Sequence, residues 1–230
     1  MSGFLLIDKL EGWTSHDVVG YLRKVTGIKK IGHAGTLDPF ATGLLIVGVG
    51  RDATKHLDDF KGMPKTYIAT LQLGATSDTF DSTGVIKEQL TMNKKQIESN
   101  DVEIILKHFV GVQKQLPPMF SAKKINGEKL YALARKGIEV EREPTEVTIY
   151  SLKLIENIES ENKLQIEVQC SAGTYIRTLA NDIGEKLGCG AYCQELRRTK
   201  IGEFMVKDAI DVKNLEKESY EKALFSPPHT

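Results

Sequence analysis

Residues 32–51 read GHAGTLDPFATGLLIVGVGR. The second half, GLLIVGVG (43–50), is a short apolar run closed by glycines and reads as a buried strand. The first half places one carboxylate, Asp38, five residues after His33 and directly before Pro39. Proline fixes its own φ and pushes the residue before it toward extended backbone, so the acid is held stiffly ahead of the strand. Gly32, Gly35 and Gly43 permit tight backbone paths or close approach of a ligand. On these local features alone Asp38 is either a turn former or a catalytic acid. A lone loop histidine such as His33 is more often structural or simply exposed.

Working outward, GFLLIDK (3–9) reads as another buried strand. Ser15 then stands as N-cap of a helix carrying Val18, Val19, Leu22 and Val25 and stopped at Gly27. Alternation of Tyr67, Ala69, Leu71 and Leu73 marks a half-buried strand, followed by the Asx-rich turn SDTFDSTG (77–84). Val102, Ile105, Leu106 and Phe109 form a helix stripe ended by Gly111. EVTIYSLKLIE is a strand with a phase shift near Tyr150, and KLQIEVQC puts Leu164, Ile166, Val168 and Cys170 on one face. Thr174 reads as N-cap of a helix with the stripe Ile176, Leu179, Ala180, Ile183 and Leu187. A last strand around LRRTKIG precedes a short helix and a frayed tail. Strands and helices mix without strict βαβ alternation, which predicts an α+β fold with a mixed, mainly antiparallel central sheet flanked by helices.

The chain has 230 residues, 40% apolar and 27% charged, with a formal charge of zero, so any affinity for polyanions must come from local clustering. Such a cluster lies at residues 113–137, QKQLPPMFSAKKINGEKLYALARKG, where Glu128 is the only acid among Lys114, Lys123, Lys124, Lys129, Arg135 and Lys136. It reads equally as a solvated loop or as an arm that meets a polyanion. Cys170, Cys189 and Cys193 lack the partners to complete a four-ligand metal site and read as reduced structural thiols of a cytoplasmic protein. No secretory leader or membrane span is expected, and no hydrolase, zinc-protease or nucleotide-loop motif occurs.

Arg177 sits in the first turn of its helix, where the dipole disfavours a cation, and this asks for a fixed anionic partner. If the chain brings them together, Arg177 can clamp and ionise Asp38 while Tyr67 offers a stacking face for a flat ring. Stacking of a base on an aromatic is worth about 1–3 kcal/mol. That constellation suits chemistry on a base taken out of its stack.

The stretches DKLEGWTSHDVV, GHAGTLDPFATGLLIVGVGRDATK, KTYIATLQLGATSDTFDSTG, LPPMFSAKKINGEKLYALARKG, CSAGTYIRTLANDIG and LRRTKIG lie in one order across residues 3–206. Together they resemble the TruB-type tRNA pseudouridine synthases. The resemblance implies a pseudouridine-synthase-like catalytic domain over 1–206, with 113–137 as a basic RNA-clamping insertion and 207–230 as a short helix and tail. It implies conversion of uridine 55 in the tRNA T-loop to pseudouridine, with no cofactor, no metal, no obligate protein partner and a monomeric enzyme. It makes Asp38 the catalytic aspartate, Tyr67 the stacking residue and Arg177 the partner of the carboxylate. Substrate contacts are implied for His33, Lys9, Tyr175, Leu196, Lys123 and Lys124. Leu10 stands where the family usually has proline, and the family's small C-terminal RNA-binding domain is expected to be absent or much reduced. Two other readings stand beside this one: a T-loop-binding folding factor without turnover, and a glycosidase drawing its second acid from Asp78 or Asp81.

Overall fold

The computed structural model describes residues 2–89, 97–121, 123–125, 127–134, 136–215 and 220–226, with backbone alone at 124, 125 and 129. Two units arise, Met1–Tyr67 with Leu196–Thr230, and Ile68–Glu195.

In the first unit, β1 (Gly3–Lys9) is followed by α1 (Ser15–Thr26), β2 (Ile31–Ala34) and β3 (Thr42–Val49). Two short helices, α2 (Arg51–Lys55) and α3 (Leu57–Lys61), lead into β4 (Lys65–Leu73). β3 pairs antiparallel with both β1 and β2. Leu45, Val47 and Val49 pack with Leu5, Ile7 and the α1 stripe Val18, Val19 and Leu22. Leu44 and Ile46 turn the other way, toward Phe4, Ala53, Leu57 and Phe60. Because helices cover both faces, β3 needs apolar residues at every position, which is why its sequence shows no alternation.

The cap of α1 corrects one expectation. Thr14, not Ser15, is the N-cap: its hydroxyl accepts from Asp17 N–H at 3.0 Å and Asp17 accepts from Thr14 N–H at 2.8 Å. That reciprocal pair is a capping box and leaves the Ser15 hydroxyl for another task.

In the second unit β5 (Ala75–Ser77) and β6 (Ile86–Glu88) form a hairpin, followed by α4 (Ser99–Lys107) and β7 (Gly111–Gln115). The basic segment then holds a small hairpin, β8 (Lys124–Ile125) with β9 (Glu128–Lys129), and the short helix α5 (Leu130–Ala134). Its first residues, 113–115, are strand β7 rather than loop. β10 (Thr145–Ile158), β11 (Lys163–Cys170) and α6 (Ile176–Leu187) complete the unit, with strand order β4-β11-β10-β7. Leu164, Ile166, Val168 and Cys170 are all buried, as their alternation predicts. The register of β10 on β11 shifts between Ile149 and Ser151, and Tyr150 stands 51% exposed at that irregularity. Thr174 does not cap α6: the N-cap is Tyr175, and the Thr174 hydroxyl donates to Ser171 O at 2.9 Å.

β12 (Ala191–Ile201) carries the chain back to the first unit, where β13 (Phe204–Met205) and β14 (Ile210–Asp211) follow. The order there is β14-β1-β3-β12, with β14 parallel to β1 and β12 parallel to β3. The pairings are thus mixed and mostly antiparallel. Of the stretch expected to be a short helix and tail, the described residues 207–215 and 220–226 are packed against the first unit. Val212, Leu215 and Tyr220 are buried apolar side chains in the α1 core, and Phe225 exchanges backbone hydrogen bonds with Phe4. The tail residues 216–219 and 227–230 lie outside the described residues. No helix among the described residues is long and apolar enough to cross a membrane.

Candidate active site

The turn between β2 and β3 is fastened from beneath at several backbone points. Leu37 N–H donates to Ser15 Oγ at 2.9 Å, and that hydroxyl donates to Leu37 O at 3.3 Å. Pro39 O accepts from Gly12 N–H at 2.8 Å and from Lys9 Nζ at 3.4 Å. Ala41 N–H closes the turn on Asp38 O at 3.1 Å. Leu37 and Phe40 are buried on either side of Asp38, which itself is half-buried. An apolar residue on each flank therefore anchors a turn whose acidic residue is itself only half-buried.

Lys9 is fully buried and donates to Leu10 O at 2.9 Å, Trp13 O at 2.7 Å and Pro39 O. It thus ties loop 10–13 to the Asp38 turn from within. Burial lowers its pKa from 10.5 to about 8; attraction to Asp38 opposes that shift, and repulsion from Arg198 adds to it. His33 lines a cleft of about 490 Å³ together with His16, Gly32, Thr36, Leu57 and Lys61. Burial, then the nearby charge of Arg198, lowers the His33 pKa and favours the neutral ring.

In the second unit the anion that faces Arg177 is Asp81, at 3.1 Å between Nη1 and Oδ2, with both side chains almost wholly buried. Arg177 Nη2 also donates to Phe120 O at 2.8 Å. Asp81 is itself fixed: its Oδ1 accepts from Thr79 Oγ1 at 2.8 Å and from Thr83 N–H at 3.0 Å. The fixed anion expected from the helix dipole thus has a structural source in the turn after β5. Asp78 accepts from Val85 N–H at 2.7 Å and shapes the same turn. Both carboxylates hydrogen-bond within that turn and so help to shape it. Tyr175 is held at both backbone atoms by Gln115, which donates to Tyr175 O at 2.9 Å and accepts from Tyr175 N–H at 2.7 Å. That clamp sets the entry into α6 in place of a side-chain cap.

Tyr67 lies on β4 and Leu196 on β12, both buried at the edge of exposure, 9% and 7%. Lys123 is exposed and donates to Thr145 Oγ1 at 2.7 Å. The side chain of Lys124 and all of Arg135 lie outside the described residues. The three cysteines are buried free thiols. Among the described residues no group of three or more His, Cys, Asp or Glu is arranged around a metal position.

A family model described as TruB family pseudouridylate synthase (N terminal domain) matches residues 23–176, two thirds of the chain. The chain belongs to the TruB family of pseudouridylate synthases. It is an enzyme of that class, a pseudouridine synthase. A second model, described as the tRNA pseudouridylate synthase B C-terminal domain, matches residues 177–225, a stretch that holds α6, β12 and the strands after it. The tRNA pseudouridine synthase B of Desulfotalea psychrophila is 46% identical over 228 residues, covering 96% of this chain and 91% of that protein. The protein of that name from Syntrophotalea carbinolica is 46% identical over 216 residues, 94% of this chain and 69% of that protein. Among solved structures, a crystal structure of a Cbf5-Nop10-Gar1 complex aligns with a TM-score of 0.73 and 29% identity over 95% of this chain. This chain spans 54% of the matched chain in that structure.

Within this TruB-family fold, sequence reading misses how the site residues are held. It puts Ser15 at a helix cap, whereas the Ser15 hydroxyl clasps the Asp38 turn. It shows Arg198 only as one residue of the last strand, LRRTKIG, yet that side chain is buried against the same turn. The signal available in the sequence is a charged residue inside a strand, which is rarely buried without partners.

Proposed function

We propose that this TruB-family enzyme converts a uridine of the tRNA T-loop, position 55, to pseudouridine with Asp38 as the catalytic carboxylate. The fastening of the Asp38 turn is the observation that carries this reading. A carboxylate flanked by buried Leu37 and Phe40, and backed by hydrogen bonds at residues 37, 38 and 39, is preorganised for a reaction at a fixed point. The names of the relatives support tRNA as the substrate class. Bases in an RNA loop are already partly unstacked, so bringing one to such a turn costs less than in a duplex.

In the reaction the N1–C1′ bond of the uridine breaks, the base rotates and a C5–C1′ bond forms. The proton on C5 leaves and N1 gains one, so no redox partner or group donor is required. Asp38 assists cleavage and recombination. Tyr67 stacks on the rotating ring, and Arg177, held by Asp81, is the further residue assigned to the catalysis. Lys9 acts from under the turn, and Lys123 contributes charge toward the RNA backbone.

The test is incubation of the purified protein with an unmodified T stem-loop and no added cofactor, followed by mapping of pseudouridine. Asp38→Asn is expected to abolish the product while RNA affinity stays within about threefold. Full activity in Asp38→Asn removes Asp38 from the chemistry, and binding without product in the wild type favours a folding factor instead.

A further inference from the structure

The turn that carries Asp38 has two ends, and a single buried side chain holds both. Arg198, 1% exposed, donates from Nε to Leu44 O at 2.7 Å and from Nη2 to Gly35 O at 3.2 Å. Gly35 is the first residue after β2, and Leu44 lies near the start of β3. Residues 197 and 198 of β12 run parallel to Thr42 and Gly43 of β3. Arg197 turns to Asp8 and Thr42, with Nη2 at 2.6 Å from Asp8 Oδ2, so strand alternation sends Arg198 to the opposite side, under the turn.

The backbone spacing that permits this reach is very tight. A Cβ on Gly43 would lie 2.3 Å from Arg198 O and 2.8 Å from Arg198 N, and Gly43 has φ +102°. Only glycine tolerates that conformation together with that approach. A planar guanidinium then donates in two fixed directions at once, which an ammonium on a flexible stem does not reproduce. Carbonyl oxygens satisfy these donors but leave the positive charge in place. Lys9 is likewise buried among carbonyls, it feels repulsion from Arg198, and Asp38 supplies the strongest attraction it receives.

We infer that Arg198 is a positioning residue for Asp38, closing the catalytic turn by gripping Gly35 and Leu44 and, with Lys9, placing a fixed positive field beneath the carboxylate. It acts through the turn and touches no reacting atom. The inference rests on Asp38 being the catalytic group.

Arg198→Lys keeps the charge on a slightly shorter side chain but loses the two-directional grip, so it separates positioning from charge. Single-turnover pseudouridine formation on a T stem-loop is expected to fall at least tenfold, while the RNA dissociation constant stays within about twofold. Hydrogen exchange at Ala41 N–H, which closes the turn on Asp38 O, is expected to speed up while amides in α1 keep their protection. A wild-type single-turnover rate in Arg198→Lys overturns the inference. So does a rate that falls by the same factor as RNA affinity, or Ala41 exchange that changes only together with α1, since each is the mark of a merely structural residue. Arg198→Met removes the charge as well and is expected to be slower than Arg198→Lys; equal rates in the two remove the field from the inference. Asp38→Asn, run alongside, keeps the two claims apart. An active Asp38→Asn defeats the catalytic assignment, whereas an inactive Asp38→Asn beside a fully active Arg198→Lys defeats only the positioning role.

Discussion

Lys9 shows how a single buried charge is used twice. Its three carbonyl acceptors need an ammonium with three hydrogens, and its position near Asp38 needs the positive charge. Burial holds its pKa at about 8, below the ordinary 10.5. The sign for stability follows from that depression. Between these two values the unfolded chain binds more protons than the folded one, so this group's contribution to stability rises with pH. Below pH 8, keeping the buried amine charged costs the fold roughly 3 kcal/mol, the free-energy equivalent of the gap between those two values. With Asp38 as the proposed catalytic group, the rate is expected to run the other way, because the neutral amine loses one donor and its attraction to Asp38. The single-turnover rate is therefore expected to fall as pH rises through about 8, with no matching fall in thermal stability from Lys9. Lys9→Met is expected to be slower at pH 7 and to lack that alkaline limb. A wild-type rate that stays flat to well above pH 8, or a Lys9→Met variant with the same limb, excludes Lys9 as its source.

At the scale of elements, what periodicity encodes was readable and what hydrogen-bond exchange decides was not. β11 alternates in sequence and in burial because one face of the strand meets a core. β3 shows an unbroken apolar run because both of its faces are covered. The α1 terminus differs by one residue from its sequence reading because Thr14 and Ser15 are both good caps, and only the fold shows that Leu37 claims the second hydroxyl. The same holds for α6, where Gln115, sixty residues away in sequence, takes the place of a local cap at Tyr175. Asp81 could be placed in a turn from its Asx-rich surroundings, but its pairing with Arg177 depends on contacts across 96 residues of chain. The two neighbouring hydroxyls of α1 should therefore separate stability from catalysis. Thr14→Ala is expected to cost about 1 kcal/mol in urea unfolding and to leave the single-turnover rate nearly unchanged. Ser15→Ala spares the capping box, removes the clasp on Leu37 and is expected to slow the reaction severalfold. Identical rates in the two variants would show that the clasp does nothing for Asp38.

Over the whole molecule 31 basic and 31 acidic residues cancel, so no global field draws RNA in, and attraction must be local. The segment 113–137 is the strongest local excess, and it folds as the end of β7, a short hairpin and α5. Some of its charge is already engaged. Lys136 lies 3.8 Å from Glu128, an exposed pair of the kind worth little to stability, and it would lose part of its attraction for phosphate. Lys123 is different: among the described residues its ammonium donates to the Thr145 hydroxyl, a neutral group that leaves the positive charge to act on an anion. Each phosphate neutralised by a protein cation releases condensed counterions and adds roughly 0.7–0.9 to the slope of log affinity against log salt. Lys123→Ala combined with Lys124→Ala is therefore expected to lower that slope by about 1.5 and to weaken binding most at low salt. Product formation at saturating RNA should be spared, because neither lysine is assigned to the chemistry. The measurement is stem-loop affinity across a salt series for the wild type and the double variant. Parallel lines displaced from each other would mean that the lysines act through the fold of the segment rather than through phosphate, and superposed lines would make 113–137 a solvated surface with no part in holding RNA.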